Sequence, residues 1–284
     1  MECSWYARLP SVRNVSVVIP CLNEEQSLPL VLKAMPECVQ EVIIVDGESK
    51  DRTTEVAVEC LPDVVIVRQH APGKGAASVA GILRATNEIV VLMDGDGSMN
   101  PEDIDSMVTK LEAGTDIVHG SRNLPGGGSS DFTKIRSTGN DLLTFAVDRA
   151  YRVKWSDLTY GYVAMWRDVI ETLELAAIVD GQSHPLYDAS SGRRHRPIGY
   201  GHGFEIEVLM LCRAVRAGLT VEEVGCFEEK RRFGSSNLRA FHDGVRVARA
   251  LVRERLRSTQ RYADVMPRAQ RRNARMSLMP PHDE

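Results

Sequence analysis

Asp94 and Asp96 stand one residue apart in LMDGDGSMN, at the end of an apolar run that begins at Ile89. Two carboxylates at that spacing offer hard oxygen ligands to Mg²⁺ or Mn²⁺ and leave the ion's other positions to water or phosphate oxygens. An ion held this way would carry a diphosphate. Lys74 lies between two glycines in PGKG, at the start of a helical pattern. There its ammonium and the exposed backbone N–H groups can both meet phosphate. Among the seven histidines, His202 has a carboxylate, Glu205, at helical spacing, which makes it a candidate metal ligand beside the acidic pair. GxGxxG, GxxxxGK[ST] and HExxH are all missing, so dinucleotide oxidoreductases, P-loop NTPases and zincins lose their fingerprints.

These groups need elements to position them. Val15 to Pro20, Glu41 to Asp46, Val64 to Arg68, Ile89 to Asp94 and Asp116 to His119 are short, β-branched and bounded by polar or turn residues, which predicts buried strands. Glu25 to Ala34, Arg52 to Cys60, Gly75 to Ala85 and Pro101 to Glu112 carry helical spacing between them. Alternation of this kind predicts an α/β fold: a mostly parallel central sheet, right-handed crossovers and helices on both faces. In such sheets ligands bind beyond the carboxyl ends of the strands. Asn100, Pro101 and Asp103 read as N-cap, first position and first-turn carboxylate, so a helix should start just after the acidic pair. Further on, the spacing predicts a flexible loop over Pro125 to Ser130 and a helix over Thr133 to Arg149. A strand is expected at Val163 to Trp166, a long irregular stretch at Ile178 to Gly203, a helix at Phe204 to Ala217 and a strand at Val221 to Phe227. Leu238 to Leu256 is a basic amphipathic helix, so the chain divides into a domain over 1–237 and a basic helical, flexible tail over 238–284.

The charge supports that division. The formal net charge is −4, but residues 1–229 hold 21 Lys and Arg against 34 Asp and Glu, while 230–275 hold 14 against 3. An acidic body argues against nucleic acid as a partner. No stretch approaches the roughly 18 apolar residues of a spanning helix, and the first residues lack a signal pattern. A cytoplasmic protein is expected; the stripe of the basic helix suits packing on the domain over 1–237 with its arginines in solvent, and the alternative is peripheral contact of the segment beyond about Arg253 with the inner face of an anionic membrane. The cysteines at 3, 21, 38, 60, 212 and 226 form no CxxC pair and read as scattered core thiols.

VSVVIPCLNEEQSLPLVL, EVIIVDGESKDRT and PGKGAASVAGILRATNEIVVLMDGDGSMNPEDI occur in that order, followed by HGSRNLPGGG, SDLTYGYVAMW, GFEIEVLM and RRFGSSNL. Over about residues 14 to 250 the chain resembles family 2 glycosyltransferases with the GT-A nucleotide-sugar fold, and among them the catalytic domains of dolichyl- and polyprenyl-phosphate sugar transferases. The resemblance implies that Pro20, Leu22 and Glu24 flank the nucleoside and that Asp46 bonds the base or ribose. It further implies that Asp94, followed by Gly95, lies near ribose and metal, with Asp96 the principal metal ligand and Ser98 or water completing the shell. Arg122, Arg136 and Arg231 match basic positions facing phosphates or acceptor, and guanidinium forks suit diphosphate. Asn237 stands where lipid-phosphate transferases of this type often carry Lys.

The implied reaction is metal-dependent, inverting transfer of a sugar from a UDP- or GDP-sugar to an acceptor. That acceptor is polyprenyl phosphate or a small soluble or carrier-bound molecule. Bond cleavage puts negative charge on the leaving diphosphate, which the metal, Lys74 and the arginines would stabilise. A phosphate acceptor needs no base; an alcohol or amine does better with one, and Asp157, Glu205 and Glu207 are the candidates. A second class is also open. DGDGS resembles the DxDG[ST] opening of haloacid-dehalogenase-type phosphatases, in which Asp94 would be the nucleophile, although three strand-helix units precede it here.

Overall fold

The computed structural model describes residues 14–69, 71–178, 200–234 and 240–256. The chain runs β1 (Val15–Cys21), α1 (Leu28–Lys33), β2 (Val39–Asp46), α2 (Thr53–Cys60), β3 (Val65–Arg68), α3 (Lys74–Arg84), β4 (Ile89–Leu92), α4 (Asp103–Glu112) and β5 (Ile117–Ser121). It continues with β6 (Gly128–Ser129), α5 (Lys134–Tyr151), β7 (Val163–Trp166), α6 (Val169–Thr172), α7 (Ile206–Arg216), β8 (Val221–Gly225), β9 (Phe227–Glu228) and α8 (Ala240–Leu256). β1 to β5 and β7 fall where β-branched runs predict them. α1 starts later than its apolar spacing suggests, because residues 25–27 form a turn and Pro29 occupies the first helical turn. α4 starts at Asp103; Asn100 instead caps the preceding turn, its Oδ1 accepting from Glu102 N at 3.2 Å.

One sheet holds seven strands in the order β3-β2-β1-β4-β7-β5-β8. All neighbours are parallel except β7, which is antiparallel to both β4 and β5. Val15, Val17, Val18 and Ile19 of β1 and Ile89, Val90 and Val91 of β4 are wholly buried, as central strands covered on both sides require. Each such side chain contributes roughly 1.5–3 kcal/mol of burial. Cys21 aligns with Asp46 and Val18 with Leu92, so β1, β2 and β4 end along one edge. β1 has β2 on one side and β4 on the other, the point where crossovers reverse and a crevice opens.

The PGGGSS segment, expected to be a flexible loop, contributes β6, which pairs in parallel with β9. Phe227 correspondingly leaves the expected Val221 to Phe227 strand: Cys226 N still donates to Ser121 O at 2.9 Å, but the next residues turn to β6. Gly128 permits that approach, since a Cβ there would come within 2.6 Å of the Phe227 ring.

α8 lies against α5 and α7, where Val247 joins Val147, Leu158, Val208, Leu211 and Cys212 in a second apolar cluster. Beneath it Glu254 and Arg213, both with fully buried side chains, pair at 3.2 Å, and Arg213 also donates to the Leu173 and Glu174 carbonyls. Residues 179–199 of the long irregular stretch, Asn237, Leu238 and everything beyond Leu256 lie outside the described residues. Among the described residues no helix is long and apolar enough to cross a membrane. The described cysteines are all free, with Cys21, Cys212 and Cys226 buried.

Candidate active site

The acidic pair is shaped by the turn that ends β4. Met93 N donates to Val18 O at 3.2 Å, which carries the sheet one residue further, and the chain then turns away over Asp94 to Gly97. Gly95 is required by crowding: a Cβ there would lie 2.8 Å from Cys21 Sγ. Gly97 takes φ +76°, the left-handed region, and Asp96 Oδ1 accepts from Ser98 N at 2.9 Å, the local bond that aspartate makes in tight turns. Ser98 O in turn accepts from Glu229 N at 2.8 Å, which ties this turn to the segment following β9.

Lys74 opens α3 from a corner built by glycines. Gly73 has φ +109°, and a Cβ on it would collide with the His202 carbonyl, as one on Gly75 would with that of Gly201. Gln69 Nε2 holds the corner from the other side by donating to the Gly73 carbonyl at 2.8 Å. Lys74 Nζ thereby stands 2.7 Å from Asp94 Oδ1 and 3.0 Å from Glu207 Oε1, with the Phe204 ring centroid at 5.6 Å. Burial opposes the Lys74 charge, but the two carboxylates outweigh it and hold the ammonium protonated well above its ordinary range. Burial pushes the Asp94 carboxyl up, aided by Asp96 and opposed by Lys74. Glu207 is likewise raised by burial against the pull of Lys74.

Arg231 bridges Glu24 and Asp96. Its Nη1 is 2.9 Å from Glu24 Oε1 and its Nη2 2.9 Å from Asp96 Oδ2. Burial raises the Glu24 carboxyl and the guanidinium partly offsets that. Arg122 is buried in a fork against Asp157, Nε to Oδ2 at 2.7 Å and Nη2 to Oδ1 at 3.0 Å. It also reaches Glu228 Oε2 at 3.2 Å and Thr159 Oγ1 at 3.0 Å, between the rings of Phe132 and Tyr160. Burial alone would raise Asp157; the guanidinium fork more than offsets it and holds the carboxyl below its usual range. Arg136 pairs with Asp131 at the start of α5. Glu205 accepts from Gly201 N at 3.0 Å and Arg246 Nη2 at 3.2 Å; these bonds overcome burial and lower its carboxyl.

A cavity of about 1260 Å³ joins these walls. Pro20, Leu22, Glu24, Lys74, Gly95 and the acidic pair line one end, together with Ser98 and Arg231. Arg122, Arg136 and Glu207 line it as well, and it runs on between Leu142, Leu143 and Ala146 of α5 and Val247 and Ala248 of α8. Asp157, Glu205 and His202 are not on its surface. Asp46 sits behind it, both carboxylate oxygens 3.3 Å from Ser49 N, while Gly47 and Glu48 form the wall. His202 serves this corner through its main chain, its carbonyl accepting from Ala76 N at 3.1 Å.

Among the described residues no three His, Cys, Asp or Glu side chains gather as a metal cage. The aspartate pair, with Ser98 on the same wall, is an all-oxygen donor set that suits a divalent ion keeping its other positions for phosphate or water, as Mg²⁺ does; His202 does not join it. Several cavity residues were given no role by the sequence, although Thr159 and Tyr160 lie in SDLTYGYVAMW and Phe204 in GFEIEVLM. Glu228 and Thr159 complete the Arg122 network, Phe204 covers Lys74, and Asn140 Nδ2 and Tyr160 Oη are buried groups of cavity-lining residues with no hydrogen-bond partner among the described residues.

The model of the glycosyl transferase family 2 matches residues 16–174. An uncharacterised glycosyltransferase of Mycobacterium tuberculosis is 45% identical over 108 residues, which is 38% of this chain and 48% of that one, so the match spans about half the relative's length. Polyprenol monophosphomannose synthase of Mycolicibacterium smegmatis is 32% identical over 243 residues, covering 81% of this chain and 82% of that enzyme. The crystal structure of glucosyl-3-phosphoglycerate synthase from Mycobacterium tuberculosis, in complex with Mn²⁺, UDP and glucosyl-3-phosphoglycerate, superposes with a TM-score of 0.62. It is 20% identical and covers 85% of this chain and 80% of that one, which identifies the fold as GT-A. Neither the family match nor the structural neighbours support the phosphatase alternative. With the family model on more than half of the chain and a relative aligned along most of it, the protein belongs to glycosyl transferase family 2.

Proposed function

We propose that this glycosyltransferase moves a sugar from a UDP- or GDP-sugar to a polyprenyl phosphate, with inversion at the anomeric carbon and dependence on Mg²⁺ or Mn²⁺. The observation that carries the acceptor class is the state of the three candidate bases. Asp157 is locked to Arg122, Glu205 to Arg246 and the Gly201 N–H, and Glu207 to Lys74. An alcohol or amine acceptor would want one of them free, whereas a phosphate is already anionic and attacks without a base.

The rest of the cavity supports the same reading. Arg122 and Arg136 line the same cavity as the apolar residues of α5 and α8, a combination that would suit an anionic head with an apolar chain. Leu142 and Phe145, each 69% exposed, lie on α5 beside that apolar end and would face the bilayer from which such an acceptor comes. A bound divalent ion would supply neutralisation of the leaving diphosphate. Lys74 supplies a fixed positive charge at the same end, and Glu207 and Phe204 keep it aimed. Pro20, Leu22 and Glu24 would hold the nucleoside, with Asp46 fixing, from behind, the wall formed by Gly47 and Glu48. The names of relatives that act on polyprenol, dolichol and undecaprenyl phosphates agree with this acceptor.

Incubation of the protein and Mn²⁺ with GDP-mannose, UDP-glucose and related donors, each offered a polyprenyl phosphate or 3-phosphoglycerate, tests the proposal by mass spectrometry of the products. A glycosylated polyprenyl phosphate is expected. Turnover confined to 3-phosphoglycerate would refute the lipid acceptor.

A further inference from the structure

All four carboxylate oxygens of the acidic pair already have a donor. Asp94 has Lys74 Nζ against Oδ1 at 2.7 Å and Oδ2 at 3.0 Å. Asp96 has Ser98 N on Oδ1 and the Arg231 guanidinium on Oδ2, each at 2.9 Å. A divalent ion at Asp96 Oδ2 would stand against the guanidinium already paired with that oxygen, and repulsion between ion and guanidinium sets them in competition for it.

The two cations are not equally movable. Lys74 is held on α3 by Asp94, by Glu207 from α7 and under the Phe204 ring, with a side chain 17% exposed. Arg231 belongs to the irregular segment after β9, pairs among the described residues with the carboxylates of Glu24 and Asp96, and has a side chain 22% exposed. That segment is anchored just before it, through Glu229 N on Ser98 O and the Glu228 carboxylate on Arg122, so the side chain can swing from a fixed base. Counted with formal charges, Glu24, Asp94, Asp96 and Glu207 carry four negatives against the two positives of Lys74 and Arg231, leaving a deficit that one divalent cation would fill.

We propose that Arg231 competes with the divalent ion for Asp96, and that a nucleoside diphosphate releases this competition by giving the guanidinium a second anion to bind. The ion and the nucleotide then bind cooperatively, because each favours the same displaced position of Arg231, and such coupling is reciprocal. Glu24 holds the other arm of the guanidinium and sets how readily it leaves. This inference rests on the metal-dependent transferase reading above.

Mn²⁺ binding followed by the electron paramagnetic resonance of the free ion tests it, with full-length protein, alone and with UDP or GDP. Wild type is expected to bind Mn²⁺ weakly alone and far more tightly with the nucleotide. Arg231→Gln should bind Mn²⁺ alone about tenfold more tightly than wild type, with a correspondingly smaller gain from the nucleotide, while Arg231→Lys, which keeps the charge, should stay near wild type. Circular dichroism melts of each variant establish that it is folded. If wild type binds Mn²⁺ with nucleotide but Arg231→Gln alone binds no more tightly than wild type alone, the competition is refuted and the transferase reading stands. If wild type binds no Mn²⁺ under either condition, the metal-dependent reading falls and this inference with it.

Discussion

Lys74 offers a test of the site's electrostatics that does not depend on knowing the substrate. Lys74→Met keeps most of the stem under Phe204 and deletes the charge between Asp94 and Glu207, whose side chains are 28% and 5% exposed. Removing one partner of a buried ion pair costs about 3–5 kcal/mol, and the partial exposure of Asp94 places this case near 3. For a chain of this size that corresponds to a fall in Tm of roughly 6–12 °C. The sign with pH follows from the carboxyls. Asp94 and Glu207 are already raised by burial and Lys74 is what opposes that, so in the variant both rise further. A carboxyl raised in the folded state binds more protons than it does unfolded, so stability is retained below the unfolded range near pH 4 and lost as pH rises through the folded values. Thermal and urea unfolding of wild type and variant at pH 5 and pH 8 should show the deficit growing with pH. A deficit that is the same at both, or smaller at pH 8, would refute the view that Lys74 is the counter-charge of two buried acids.

Asp96→Ala should lower turnover by orders of magnitude, and excess chelator should abolish activity that Mg²⁺ or Mn²⁺ then restores; full activity in chelator would contradict a metal held through this pair. The anomeric proton coupling of the product should show inversion relative to the donor, and no glycosylated protein should accumulate in mass spectra of the working enzyme. Asp157→Asn should destabilise by about 3 kcal/mol or more, because it strands the Arg122 fork, and urea midpoints equal to wild type would show that the pair is not structural. In sedimentation with anionic vesicles the full chain should pellet more than a chain ending at Leu256, since each Lys or Arg near the surface contributes on the order of 1 kcal/mol; equal binding by both removes the tail as the contact.

What the sequence determines by itself are the quantities set within one short segment. β1, β2 and β4 were legible because strands buried on both faces must be runs such as VSVVIP and EIVVL, and the DGDGS turn because acids and glycines cluster where a strand meets a ligand edge. The order of motifs along the chain identified the family for the same reason: each motif is local. Only the tertiary structure decided what depends on elements meeting. That β7 enters the sheet antiparallel between β4 and β5 follows from no spacing, since its register is set by both neighbours at once. PGGGSS reads as a loop until Phe227, far along the chain, gives β6 a partner. The apolar stripe of α8 suits a bilayer or a protein, and here it meets α5 and α7. The charges are the clearest case. Glu24 and Arg231 lie 207 residues apart, and Lys74 reaches Glu207 across two helices. A carboxylate looks equally free in any sequence, and whether it can act as a base or ligand is decided by which cation the fold brings within 3 Å of it.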